Sequence, residues 1–219
     1  MGTQSDHGRL ITDAAEAALL PIGCRRKGQS RTWYTDEGYW GIWIEFQPSG
    51  WSKGSYLNIG VIWLWRPKPS VAFSYRPAEF ISYESKTQFA PLVERMAGQA
   101  AQEVQALRVK LLSFESVLDF IKSRATRDGW PIYDAAIACA LAGKVSAAQE
   151  FFNRIQAWQT DGYEWQLELK SEAEALSGLL NQPSKFRSTI LATIERNRKL
   201  MRFSVDARCL DELDSIVVQ

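Results

Sequence analysis

An α+β fold is predicted for this 219-residue chain. An N-terminal helix leads into an antiparallel four-stranded meander covered by a long helix, and an all-helical C-terminal region follows. Three observations predict it. Residues 39–65 hold two runs of aromatic and β-branched residues separated by a Pro/Gly/Ser loop, the signature of a β-hairpin. Residues 89–111 place apolar side chains at helical spacing, long enough to span a sheet. Beyond residue 129 every apolar pattern is helical. The stretch 124–129 reads as a boundary between a sheet domain, 1–125, and a helical extension, 126–219.

Each element has its own justification. Residues 7–20 carry Ile11, Ala14, Ala15, Ala18 and Leu19 on one stripe, and Pro21 and Gly23 end that helix. A basic turn, 24–28, precedes a first strand at 31–35, and Asp36, Glu37 and Gly38 turn the chain into the hairpin. Arg66, Pro67, Lys68 and Pro69 break the strand that follows. Residues 71–75 are expected to form a fourth strand, stopped by Arg76 and Pro77. In the long helix Pro91 falls in the first turn, where its missing donor does little harm. Ser113 is a helix cap for a shorter helix with Phe114, Val117, Leu118 and Ile121 inward. Helices are then expected over 131–141, 146–158, 163–180 and 183–203. The first two resemble a single tetratricopeptide hairpin. Such repeats bury a core only when several copies stack, so an ordinary helical hairpin is expected. The tail is short and acidic, with Ile216, Val217 and Val218 at its end.

Alternation sorts the central hairpin into two faces. Trp40, Ile42, Ile44 and Phe46 share one side with Leu57, Ile59 and Val61, and should form the core wall. Pairing Phe46 with Leu57 sets Trp43 over Gly60, Glu45 opposite Asn58 and Gln47 opposite Tyr56 on the reverse. Trp51 lies in the connecting loop, near the open end of that face. The candidate binding residues are therefore Trp43, Glu45, Gln47, Trp51, Tyr56 and Asn58, since exposed aromatics beside hydrogen-bonding groups are what interface hot spots use. The same pattern also suits an ordinary solvated face of an antiparallel sheet.

Composition excludes several classes. Formal net charge is +1, so no whole-chain field favours nucleic acid or a membrane surface. Six of the nine tryptophans fall between residues 33 and 65, which places the aromatic excess in the sheet. The three cysteines are scattered and form no CxxC, against both a disulfide framework and a structural zinc site. That usage suits a reduced, cytoplasmic setting. The first residues lack a secretory pattern, and no run approaches the roughly 18 apolar residues of a membrane helix.

Catalytic chemistry is thinly represented. His7 is the single histidine, so a Ser-His-Asp or Cys-His arrangement would have to recruit it. Phosphate-cradling glycine motifs do not occur, and Gly50 and Gly54 flank a hairpin loop rather than a helix start. Glu45 would need a second carboxylate for acid–base work. No catalytic residue, metal ligand or cofactor is assigned. Arg25, Arg26, Lys27, Arg31, Lys53, Arg66 and Lys68 interleave with aromatics, but residues 1–77 carry a surplus of only three cations, weak for a phosphate-tracking groove.

A family resemblance sits on specific residues. Leu20-Pro21-Ile22-Gly23-Cys24-Arg25-Arg26-Lys27-Gly28, then Thr32-Trp33-Tyr34, Gln47 and Tyr56-Leu57-Asn58-Ile59-Gly60-Val61, resemble the bacterial family known as domain of unknown function 4304. Its pattern runs from a helix ending in Pro-x-Gly-Phe through a basic Gly turn and an aromatic strand. A strand ending in Gln and an Asn-x-Gly-Val strand complete it. Cys24 stands where that family usually has Phe. The resemblance covers about residues 8–125 and implies an α+β fold and a bacterial source, with no activity to carry over. By analogy, toxin-neutralising immunity proteins are of this general kind. The expected function is thus a non-catalytic module that binds another protein. A carboxylate-dependent enzyme using the polar face, or a weak RNA binder, are the alternatives.

Overall fold

The computed structural model describes residues 6–68, 75–126 and 129–203. The chain forms two compact units, residues 1–62 with 70–109, and residues 63–69 with 110–219.

The first unit is the α+β one. Helix α1 (Asp6–Leu19) buries Ile11, Ala15 and Leu19, and Gly23 ends the following 3-10 turn in the left-handed region at φ 80°. Five strands form one sheet in chain order: β1 (Arg25–Arg26), β2 (Thr32–Tyr34), β3 (Trp40–Gln47), β4 (Gly54–Trp63) and β5 (Tyr75–Ser82). The expected α+β class holds, with one strand more than the four expected. The extra strand is β1: the basic turn is long enough for Arg25 and Arg26 to pair with Tyr34 and Trp33.

The last strand also differs from expectation. It was placed at 71–75 with a stop at Arg76 and Pro77, but residues 71–74 lie outside the described residues and β5 runs through Pro77 to Ser82. Proline is tolerated because β5 is an edge, where a missing N–H leaves no ladder bond unmade. Two register shifts between β4 and β5 bend that edge further.

The core wall follows the alternation. Ile42, Ile44, Phe46, Leu57 and Ile59 are fully buried, with Trp33 paired to Ile44 on the same side. Helix α2 (Lys86–Lys110) buries Phe89, Val93, Met96, Ala97, Ala100, Val104 and Leu107 along one stripe. It is tied to the sheet along its length. Phe89 meets Tyr83 edge-on, Gln99 donates to the Pro77 carbonyl at 2.9 Å, and the Tyr75 hydroxyl donates to Glu103. Near its end Arg108 donates to Glu37 and to the Ile22 carbonyl, each at 2.7 Å.

In the second unit five helices follow: α3 (Phe114–Arg124), α4 (Trp130–Leu141), α5 (Val145–Ala157), α6 (Glu164–Ser177) and α7 (Pro183–Met201). Ser113 caps α3 as predicted, accepting from Ser116 N at 3.2 Å. Helix α4 is buried on every side from Ile132 to Cys139, and its alanines let neighbours approach closely. With α5 it makes the expected helical hairpin, turned at Gly143 with φ 70°.

The segment after β4 belongs to this unit, which alternation along a continued strand did not foresee. Trp63 and Trp65 stack in parallel at 5.0 Å, and Leu64 and Trp65 form a turn. Trp65 Nε1 and Arg66 Nε both donate to Asp134 Oδ1 at 3.0 Å, and Arg66 Nη2 donates to Oδ2 at 2.5 Å. Asn197 on α7 donates to the Leu64 and Arg66 carbonyls at 2.8 and 2.7 Å. These groups are buried, so the turn is held by polar bonds as well as by apolar packing, although Asn197 Oδ1 has no hydrogen-bond partner among the described residues.

Candidate functional site

The reverse face of the sheet gathers most of the polar and aromatic residues singled out above. Thr32 pairs with Glu45, and Tyr34 with Trp43, which puts these four on the side away from the Trp33–Ile44 core pair. From β4, Asn58 Nδ2 donates to Gln47 Oε1 at 2.7 Å and to Glu45 Oε2 at 3.3 Å. Glu45, expected opposite Asn58, bonds to it, and Gln47, expected opposite Tyr56, bonds to the same Asn58 amide.

Arg76 completes the network. Its Nε donates to Asn58 Oδ1 at 2.9 Å and its Nη2 to Gln47 Oε1 at 3.2 Å, while the guanidinium lies 4.3 Å from the Tyr56 ring centre. Both ends of the Asn58 amide are thus used, which fixes its orientation. Tyr56 in turn packs on Phe80 of β5 at 4.7 Å. Arg76 and Phe80 are not evident in the sequence, because Arg76-Pro77 reads as a strand stop. The available signal was that proline is admissible on an edge strand.

At the other flank Lys27 Nζ sits 4.9 Å from the Trp43 ring, which is itself stacked on Tyr34 at 5.9 Å. Two cations, Lys27 and Arg76, are thus each seated on an aromatic ring, of Trp43 and Tyr56. Each such contact contributes about 0.5–1 kcal/mol at a partly solvated site.

The face is not uniformly open. Asn58 is 3% and Trp43 7% exposed, and Tyr39 and Ile62 on the same side are buried outright. Ile62 fills the space beside Gly41, where an added Cβ would lie 3.4 Å from it and 2.6 Å from the Thr35 carbonyl. The accessible part is the end formed by Glu45, Gln47, Tyr56, Arg76 and Phe80. Trp51 stands apart: it is 99% exposed on the loop and packs on none of the other five candidates. Its backbone is shaped by Ser49, whose hydroxyl accepts from Trp51 N at 3.1 Å.

Glu45 faces an amide, not a second carboxylate, and among the described residues no group of three or more His, Cys, Asp or Glu could hold a metal ion. Cys24 and Cys139 are buried free thiols, while Cys209 lies outside the described residues. No helix among the described residues is long and apolar enough to cross a membrane. No family model, curated protein or solved structure matches the chain.

Proposed function

We infer that the chain is a non-catalytic module that binds another protein through the outer face of its sheet. The observation that carries this reading is the Glu45–Asn58–Gln47–Arg76 network, flanked by Lys27 on Trp43 and Arg76 on Tyr56. Rigid aromatics beside pre-bonded polar groups lose little entropy on docking, which is the property of interface anchors.

The edges of the sheet are poor alternatives. β1 is two residues long, and β5 carries Pro77 and two register shifts. Gln99 and Gln88 donate to the Pro77 and Ser82 carbonyls, so an added strand would find those acceptors already engaged. The face is the better docking surface.

The resemblance to the domain of unknown function 4304 family belongs to the same proposal, since its Gln-ended strand and Asn-x-Gly-Val strand supply Gln47 and Asn58. Neutralisation of a toxin is one concrete form of it. The test is affinity capture from the native host with the wild-type chain and with a Trp51→Ala, Tyr56→Ala double variant. A stoichiometric partner held by the first and lost by the second, with unchanged far-UV dichroism, is the expected result. Equal recovery by both would remove the face as the contact.

A further inference from the structure

Helix α2 and the edge strand β5, both in the first unit, enclose an open groove with a cavity volume of about 380 Å³. Two glutamines of α2 reach across to the strand. Gln88 Nε2 donates to the Ser82 carbonyl at 3.2 Å, and Gln99 Nε2 to the Pro77 carbonyl at 2.9 Å. They stand three turns apart on the helix, about 16 Å along its axis. Leu92 and Arg95 fall on the same stripe between them, because positions 88, 92, 95 and 99 repeat every three or four residues. Met96, 2% exposed, and the half-buried Ile81 and Leu92 supply an apolar lining.

Two opposite charges line this groove without meeting. Glu79 on β5 and Arg95 on α2 are both exposed, and neither forms a hydrogen bond or ion pair among the described residues. Elsewhere neighbouring charges are joined directly, as Glu16 is with Arg26, Glu37 with Arg108 and Asp134 with Arg66. The Nε2 bond of Gln99 fixes the orientation of its amide and leaves Oε1 as a further acceptor. A cation, an anion and an amide oxygen around an apolar lining complement a small ligand with a carboxylate, an ammonium and an apolar chain. The volume falls within the range of small-molecule sites, about 300–1,000 Å³. A ligand with a carboxylate alone would gain Arg95 but meet Glu79 as a like charge, so the zwitterion is the better match.

We propose that this groove binds an α-amino acid with an apolar side chain, free or in a dipeptide. Arg95 takes the carboxylate, Glu79 and Gln99 Oε1 take the ammonium, and Ile81, Leu92 and Met96 receive the side chain. The groove lies on the α2 side of β5, so the proposal does not rest on the outer face being an interface. It needs no strand addition either, since the two glutamines keep their bonds to the strand.

The chain has three methionines, of which Met96 lines the groove, so its methyl group reports occupancy. The experiment is an NMR titration of the full chain, carbon-13-labelled at the methionine methyls, at neutral pH and constant ionic strength. The probes are leucine, N-acetyl-leucine, leucinamide, glycine and leucyl-leucine. Expected is a saturable shift of the Met96 methyl with leucine. N-acetyl-leucine lacks the ammonium and leucinamide the carboxylate, and each should bind roughly two- to five-fold more weakly, the size of one solvent-exposed charge contact. Glycine should bind at least ~10-fold more weakly, the worth of a buried apolar side chain. Arg95→Gln should weaken leucine as much as the amide does yet leave leucinamide unchanged. Glu79→Gln should weaken leucine likewise and leave N-acetyl-leucine unchanged. Both positions are exposed, so the fold is not at stake. Leucyl-leucine binding at least as tightly as leucine makes the ligand a peptide end, and weaker binding makes it the free amino acid. No saturable shift with leucine, equal affinity for glycine, or variants that weaken every probe alike would overturn the proposal.

Discussion

At the residue scale the clearest contrast is between two ion pairs. Arg66 and Asp134 have 7% and 3% of their side chains exposed, whereas Lys68 and Glu168 have 75% and 44%. Removing one member of the buried pair leaves a desolvated charge, so Asp134→Ala should lose about 3–5 kcal/mol in chemical denaturation. Lys68→Ala should lose well under about 1 kcal/mol. Similar losses for both would mean that the buried network adds nothing special. Gly54 is a second such position. Its φ of 151° and an added Cβ 2.1 Å from the Ile81 carbonyl forbid a side chain. Gly54→Ala is expected to cost more than about 2 kcal/mol by the same assay, because backbone strain and an unrelieved clash add.

Cys24 makes a pH prediction. Burial pushes its thiol from 9.0 up to about 11, against the nearby Arg108 and with some help from Glu37. Above pH 9 the unfolded chain releases this proton and the folded chain keeps it. The unfolded state then binds fewer protons, so stability falls as pH rises. The contribution lost between pH 9 and 11 is on the order of 2–3 kcal/mol at most. Stability curves of the wild type and Cys24→Ala should converge over that interval, and parallel curves would contradict the burial argument.

At the scale of elements, much was legible. Alternation named the core wall of β3 and β4 correctly, from Ile42 to Ile59, because an antiparallel strand with one buried face repeats every two residues. Helix spacing found α1 through α7 within a few residues, and Ser113 announced the start of α3. Ser113→Ala should lower stability by about 1 kcal/mol in thermal or denaturant unfolding, and a neutral result would mean that Ser116 alone closes that helix end.

What escaped the sequence depended on partners distant along the chain. β1 is two residues with no periodicity of its own, and becomes a strand only because Trp33 and Tyr34 lie alongside. Trp65 continued a strand pattern but was claimed by Asp134, 69 residues away. At the candidate site, Glu45, Gln47 and Asn58 were legible because they sit on adjacent strands of one hairpin. Arg76 was not, because its place on the face requires β5 to run through a proline.

At the scale of the whole molecule, the second unit is discontinuous in sequence: residues 63–69 belong with 110–219. A fragment beginning at residue 110 keeps Asp134 and Asn197 but lacks Trp65, Arg66 and the carbonyls they bind. Expressed alone, it should be markedly less stable than the same region in the full chain, read by hydrogen exchange of α4. Protection equal to that of the full chain would contradict the structural role given to this turn. Net charge is +1, and the outer face mixes Lys27 and Arg76 with Glu45. Partner binding there should change only modestly with salt, unlike the losses of about 10³–10⁵ between 50 and 200 mM that phosphate contacts impose.

The most direct test of the outer face is the dissociation constant of the captured partner for Tyr56→Ala with Arg76→Ala, beside Val109→Ser as an exposed control on α2. The account predicts a loss of at least ~30-fold for the pair, equivalent to about 2 kcal/mol, and none for the control, with both variants folded. Affinity kept within ~3-fold by the pair would contradict it.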